Sequence, residues 1–338
     1  MIHHLNEAAG LLKMRRSLGA EEMAAAMELI VTGASTDADI EAFLLALREK
    51  GETASEVASA ARVMRRHSTK FPKKIPGLLD TCGTGGDAQH TLNVSTLSAL
   101  VAVSAGARVA KHGNRSVSSV CGSADLLELL GVPLEMSPEK IAASIEKTGF
   151  GFLFAPAFHP ATRYAMPARK KIQGKTIFNL LGPLCNPAGV DFQVIGVYSP
   201  VLVRTVAEVL AELGVQKAFV VHGTEGLDEI SIAGATLAAE INRKEIRFFE
   251  ILPESAGLKR SKLIELKCNS KEASLTMAKS VLRGEKSPAR DAVALNAGAA
   301  LAAAGLADSI KAGVTLSQDL LESGRVQKKL DEIIAFTG

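Results

Sequence analysis

At 338 residues, the chain has room for about two domains and at least one full hydrophobic core. Apolar residues make up 47% and charged residues 22%, near the soluble average, which excludes a disordered or collagen-like chain. Lys and Arg total 39 against 36 Asp and Glu, and a net charge of +3 is too small for a polyanion such as DNA to be the main partner, so any anion must be bound locally.

Twelve Phe, two Tyr and no Trp leave little for stacking on single-stranded nucleic acid. Met1-Ile2-His3-His4 opens no basic and then apolar leader, and no apolar run reaches the 18 or so residues of a membrane span. Cys82, Cys121, Cys185 and Cys268 form no CxxC pair. The expectation is a cytoplasmic protein with reduced thiols and neither membrane nor nucleic-acid partners.

The first 70 residues read as helices. Thr36 caps a helix carrying Ile40, Phe43, Leu44 and Leu47 and ending at Gly51, and Thr53 with Glu56 forms a capping box for the next. Such short amphipathic helices must pack as a bundle, against the rest of the chain or a second subunit. Phe71-Pro72-Lys73-Lys74-Ile75-Pro76-Gly77 reads as a linker. Beyond it, apolar runs at 78–82, 107–110, 151–154, 192–198 and 218–221 alternate with helices such as 201–213, and an Ala-rich helical stretch begins at Ala289. The fold class expected is α/β: a small N-terminal helical domain plus a large α/β domain with a mostly parallel central sheet and flanking helices. Ligand belongs at the C-terminal strand ends. The Arg-, Lys-, Gly- and Pro-rich segment from about Met166 to Pro187 interrupts the alternation. The expected division is a helical domain at 1–72, with 166–188 returning to it, and an α/β domain at 76–338, with hinges near 71–77 and 166–190.

Four clusters carry chemistry. Gly83-Thr84-Gly85-Gly86-Asp87 follows a strand and precedes Asn93-Val94-Ser95-Thr96 at a helix start, a pattern suited to phosphate. Gly83, Gly85 and Ala88 also fit a dinucleotide fingerprint, but no acidic residue occurs from Ala88 until Asp125, while Arg108, Lys111 and Arg115 intervene. Multiple negative charges are therefore favoured over a ribose diol. Lys111-His112-Gly113-Asn114-Arg115-Ser116-Val117-Ser118-Ser119 packs cations, amide and hydroxyls into nine residues expected just after a strand, as in a binding loop. Asp228-Glu229 beside a phosphate site suits Mg²⁺. Arg163 and Arg169 precede Asn179-Leu180-Leu181-Gly182-Pro183, where a Gly-Pro turn could shape a slot beside a carboxylate-binding guanidinium.

Together, GTGGD at Gly83 to Asp87, NVST at Asn93 to Thr96, KHGNRSVSS at Lys111 to Ser119, FNLLGPLCNPA after Arg169 and GLDE at Gly226 to Glu229 resemble the anthranilate phosphoribosyltransferases of tryptophan biosynthesis. The resemblance spans nearly the whole chain. It implies a homodimer joined through the N-terminal helical domain, and transfer of phosphoribosyl from 5-phosphoribosyl 1-diphosphate to anthranilate with Mg²⁺ as cofactor. By motif, it assigns the phosphoribosyl diphosphate to Gly83, Gly86, Asp87, Thr91, Asn93, Val94, Ser95, Thr96, Lys111, His112, Gly113, Asn114, Arg115, Ser116, Val117, Ser118, Ser119 and Ser123. It assigns anthranilate to Gly83, His112, Asn114, Arg169, Gly182 and Pro183, and the metal to Ser95, Asp228 and Glu229. No covalent nucleophile is implied. Leu92, Ala88-Gln89-His90 and Cys121 depart from the family pattern. A pyrimidine nucleoside phosphorylase and a non-catalytic phosphoribosyl diphosphate sensor are the alternative readings.

Overall fold

Residues 2–116 and 120–338 are described in a computed structural model; Val117, Ser118 and Ser119, assigned above to the diphosphate, lie outside the described residues. The N-terminal bundle comprises α1 (Leu5–Lys13), α2 (Ala20–Val31), α3 (Asp37–Lys50) and α4 (Ala54–Arg66). The caps form as the sequence suggests: the Thr36 hydroxyl accepts from the Asp39 N–H, Gly51 ends α3 at φ 87°, and Thr53 and Glu56 cap α4 reciprocally. Glu56 is fully buried and accepts from the Leu18 N–H at 2.8 Å and Lys50 Nζ at 2.7 Å, so one carboxylate joins the ends of three helices. Breaking such a buried pair costs more than forming it gains, which makes the junction specific.

The sheet runs β3-β2-β1-β4-β5-β6-β7. Its strands are β1 (Leu78–Gly83), β2 (Arg108–Gly113), β3 (Phe150–Phe154), β4 (Phe192–Gly196), β5 (Lys217–Gly223), β6 (Thr236–Asn242) and β7 (Glu245–Ile251). The first five are parallel, and β6 and β7 add an antiparallel hairpin. Mostly apolar and almost wholly buried, α5 (Val94–Ser104) packs against α13 (Pro288–Ala303). Further helices complete the body: α6 (Ser123–Leu129), α7 (Pro138–Thr148), α8 (Ala155–Phe158), α11 (Val201–Leu213), α12 (Lys271–Leu282), α14 (Ile310–Glu322) and α15 (Arg325–Thr337). Two more, α9 (Met166–Lys171) and α10 (Ile177–Leu184), run back onto the bundle, α9 on α3 and α10 on α3 and α4. Ala168, Ile172, Phe178 and Leu181 share that bundle's core.

Two expectations need correction. Strand β2 does not stop at Ala110 but continues through Lys111, His112 and Gly113, whose backbones pair with β3. Gly182-Pro183 is the last turn of α10 rather than a free turn; Pro183 has no N–H to give the Asn179 carbonyl, and the helix ends one residue later. The helical stretch from Ala289 onward forms α13, α14 and α15, with N-caps at Ser309 and Gly324 opening the last two.

Candidate active site

Strand order places β1 between β2, which leads outward on one side, and β4, which leads outward on the other. The crevice beyond the carboxyl ends of β1 and β4 is therefore the topological switch point, where α/β sheets bind ligands. A cleft of about 570 Å³ opens there. It is lined by residues 82–87 at and beyond the end of β1, by Lys111 to Ser116 at the end of β2, and by Asp228 and Glu229 after β5. The three sequence-distant motifs thus meet because their strands end side by side. Gly83 has to be glycine: a Cβ there would collide with the Asp228 carboxylate. Gly86 turns the loop at φ 72°.

Asp228 Oδ2 accepts from the Gly85 N–H at 2.7 Å and Glu229 Oε1 from the Ser95 N–H at 3.1 Å. Burial first, then the charge of Asp87 on Asp228 and that of Asp228 on Glu229, raises the pKa of both carboxyls well above the ordinary range. Two buried, mutually repelling carboxylates have a strong demand for a cation. Among the described residues no group of three or more His, Cys, Asp or Glu side chains converges as a metal cage. Hard oxygen donors in a pair, with Ser95 beside them, fit Mg²⁺, which keeps waters and is completed by phosphate oxygens. Lys111 is buried beneath, donating to the Thr81 carbonyl and reaching Ser95 Oγ at 3.4 Å. Burial lowers its pKa, and Asp80 opposes that shift. Asp80 in turn accepts from the His112 N–H at 3.2 Å and Asn186 Nδ2 at 2.9 Å, which locks the end of β2 against β1.

The loop after β2 is fastened by Asp125. Its carboxylate accepts from the Ser116 N–H (3.1 Å), the Gly122 N–H (2.9 Å) and Lys271 Nζ (2.8 Å). Burial pushes its pKa up, but these three donors outweigh that and hold it at about 2. Arg115 grips Glu128 with two hydrogen bonds at 2.7 and 2.9 Å, so its guanidinium is tied to α6. His112 presents Nδ1 at 3.1 Å to the Gly182 carbonyl, which can only accept, so the proton sits on Nδ1. Burial first, then the neighbouring His159 ring, lowers its pKa to about 3 and keeps the imidazole neutral. Its Nε2 is a buried acceptor without a partner among the described residues.

Of the residues assigned from the sequence, Gly83, Gly86, Asp87, Thr91, Asn93, Ser95, Lys111, His112, Gly113, Asn114, Arg115, Ser116, Ser123, Arg169, Asp228 and Glu229 line this cleft. Val94 and Thr96 are buried in α5, outside its lining. Gly182 and Pro183 also lie outside it, Gly182 acting through His112. Arg163 instead stacks on Tyr164 at the surface. Arg169 is half-buried over the Phe178 ring, 5.1 Å from its centroid. Sequence reading missed Lys175 and Asn179 as lining residues, and His159, whose ring meets that of His112 edge-on at 5.1 Å. Lys175 was hidden in a basic segment where one lysine looks like any other.

Residues 76–327 match the family model described as "Glycosyl transferase family, a/b domain", and residues 9–68 match the helical bundle domain of that family. The chain is 49% identical over 316 residues to an anthranilate phosphoribosyltransferase of Alkalilimnicola ehrlichii, covering 94% of each chain. The crystal structure of anthranilate phosphoribosyltransferase from Thermus thermophilus is similar with a TM-score of 0.92 at 44% identity, covering 98% of this chain and 99% of that one. The Saccharomyces cerevisiae enzyme in complex with PRPP and Mg has a TM-score of 0.90 at 27% identity, covering 98% and 97%.

Proposed function

The chain belongs to the anthranilate phosphoribosyltransferase family, and from that premise we infer how its cleft carries out the transfer. The enzyme moves the phosphoribosyl group of 5-phosphoribosyl 1-diphosphate to the amine of anthranilate, giving N-(5-phosphoribosyl)anthranilate and pyrophosphate, with Mg²⁺ as cofactor. The observation that carries this reading is the meeting of the Gly83 to Asp87 loop, the Asp228-Glu229 pair and Lys111 in one cleft at the switch point.

The bond from ribose C1 to the diphosphate oxygen breaks, and its electron pair leaves with the diphosphate. The lone pair of the anthranilate nitrogen forms the new C1–N bond, and the nitrogen then sheds one proton. Ser95, Asp228 and Glu229 would hold Mg²⁺, which when bound neutralises charge on the diphosphate oxygens. Gly83, Gly86, Asp87, Thr91, Asn93, Asn114, Ser116 and Ser123 position the donor substrate by backbone and short polar groups. Lys111 adds positive charge beneath them. Arg169 takes the anthranilate carboxylate, since no carboxylate of the described chain pairs with it within 4.0 Å. Neutral His112 offers Nε2 to the amine N–H and so orients the nucleophile. An aromatic amine needs no strong base, and the gain comes from alignment of two bound substrates.

We further propose the division into a helical part, 1–72 with 166–188, and an α/β part from 76, hinged near 71–77 and 166–190. A homodimer through the helical part and a cytoplasmic location complete the reading; no helix among the described residues is long and apolar enough to cross a membrane. Mass spectrometry tests the chemistry: one pyrophosphate should appear per phosphoribosylanthranilate. Cleavage of thymidine or uridine with phosphate, in place of that product, would contradict it.

A further inference from the structure

The cleft's cations differ in what they face. Lys111 is matched by buried Asp80, Arg115 is spent on Glu128 and Asp125, and His112 is uncharged. Lys111 is further committed by donating to the Thr81 carbonyl, whereas the lining cations Arg169 and Lys175 have neither a carboxylate within 4.0 Å nor a carbonyl acceptor among the described residues. Lys175 sits in the short link between α9 and α10. Gly174, at φ 110°, turns the chain there, and Arg48 of α3 donates to the Gln173 carbonyl at 3.0 Å. The Lys175 ammonium lies 3.4 Å from the centroid of the Tyr198 ring. Tyr198 is itself fixed, its N–H donating to Thr84 Oγ1 at 3.1 Å. The lysine's last methylene packs on Gly86, where a Cβ would come within 3.0 Å of Cε. Asp87 and Asp228 act on the ammonium from a distance.

We infer that Lys175 is a further binding residue for the diphosphate of 5-phosphoribosyl 1-diphosphate, reaching it across Gly86 from the α9–α10 link. The inference rests on the reading of the cleft given above. A diphosphate laid on the Gly85-Gly86 backbone beside Asp228 meets Lys175 before any other uncommitted cation. The aromatic ring stabilises the ammonium without neutralising it, leaving its N–H donors for phosphate oxygens. Because the link is tied to Arg48, the same contact couples the helical bundle to the bound diphosphate.

The test uses the full chain and two readouts: calorimetric binding of pyrophosphate with Mg²⁺, and steady-state constants for both substrates. Lys175→Met should weaken pyrophosphate binding and raise the KM for phosphoribosyl diphosphate by about 10- to 100-fold, the size of a lost charge-assisted contact. The KM for anthranilate should stay within about threefold, and Lys175→Arg should recover most of the loss. Unchanged pyrophosphate binding by a folded Lys175→Met protein, or equal rises in both KM values, would overturn the inference. Wild-type protein that binds no pyrophosphate with Mg²⁺ would remove the cleft reading itself, and this inference with it.

Discussion

Arg169 and Arg115 show how differently two arginines of one cleft are employed. The guanidinium of Arg115 is spent on Glu128 and Asp125, which makes it a clasp for the loop after β2, whereas among the described residues the guanidinium of Arg169 meets the Phe178 ring and the Met166 sulfur and no carboxylate. Replacing Arg169 with Ala should therefore raise the KM for anthranilate by about 10- to 100-fold, with a much smaller change for phosphoribosyl diphosphate. Equal effects on both would refute the carboxylate clamp. Asp125 supplies the pH test. Its folded pKa of about 2 lies below the ordinary 3.8, so the folded state binds the proton less readily than the unfolded chain. Its contribution is complete above the ordinary value and is lost as pH falls through about 2. Thermal melts should show Asp125→Asn well below wild type at neutral pH, with the gap closing across that acid window.

Among the elements, the helix ends and the parallel strands were legible, because capping residues and short apolar runs act locally: Thr36, Thr53 and Gly51 do in the structure what their types suggest. The hairpin of β6 and β7 was not. Its tight turn uses Arg243, at φ 56°, with Lys244 rather than Asn-Gly, and β7 is largely solvent-facing, so neither turn signal nor apolar run marks it. The site motifs were legible as clusters near strand ends, but Lys175 and His159 were not, since what they face is set by sequence-distant rings, Tyr198 for Lys175 and His112 for His159. A packing detail equally silent in the sequence is the α13–α14 contact, where Gly298 and Gly313 bring two backbones together. A Cβ on Gly313 would meet the Gly298 carbonyl at 2.5 Å. Gly313→Ala should cost about 1–3 kcal/mol of stability, read as a lower denaturant midpoint with the m-value unchanged. No shift would show that the helices can part without penalty.

At the scale of the whole molecule, sheet order creates one crevice and each motif reaches it from its own strand end, while α9 and α10 bring Arg169 and Lys175 from the helical side. The donor substrate is therefore expected to be held mainly by the α/β part and the acceptor by groups on the segment that joins the two parts, so reaction requires both in register. We propose that the buried Asp228-Glu229 pair holds the divalent cation on which that reaction depends. The most direct measurement follows anthranilate fluorescence in the presence of catalytic amounts of protein and phosphoribosyl diphosphate, with and without Mg²⁺. The protein contains no Trp, so its own background is low. A steady fall in anthranilate fluorescence that requires both Mg²⁺ and phosphoribosyl diphosphate is the predicted result; anthranilate left unconsumed while the protein binds phosphoribosyl diphosphate would contradict it.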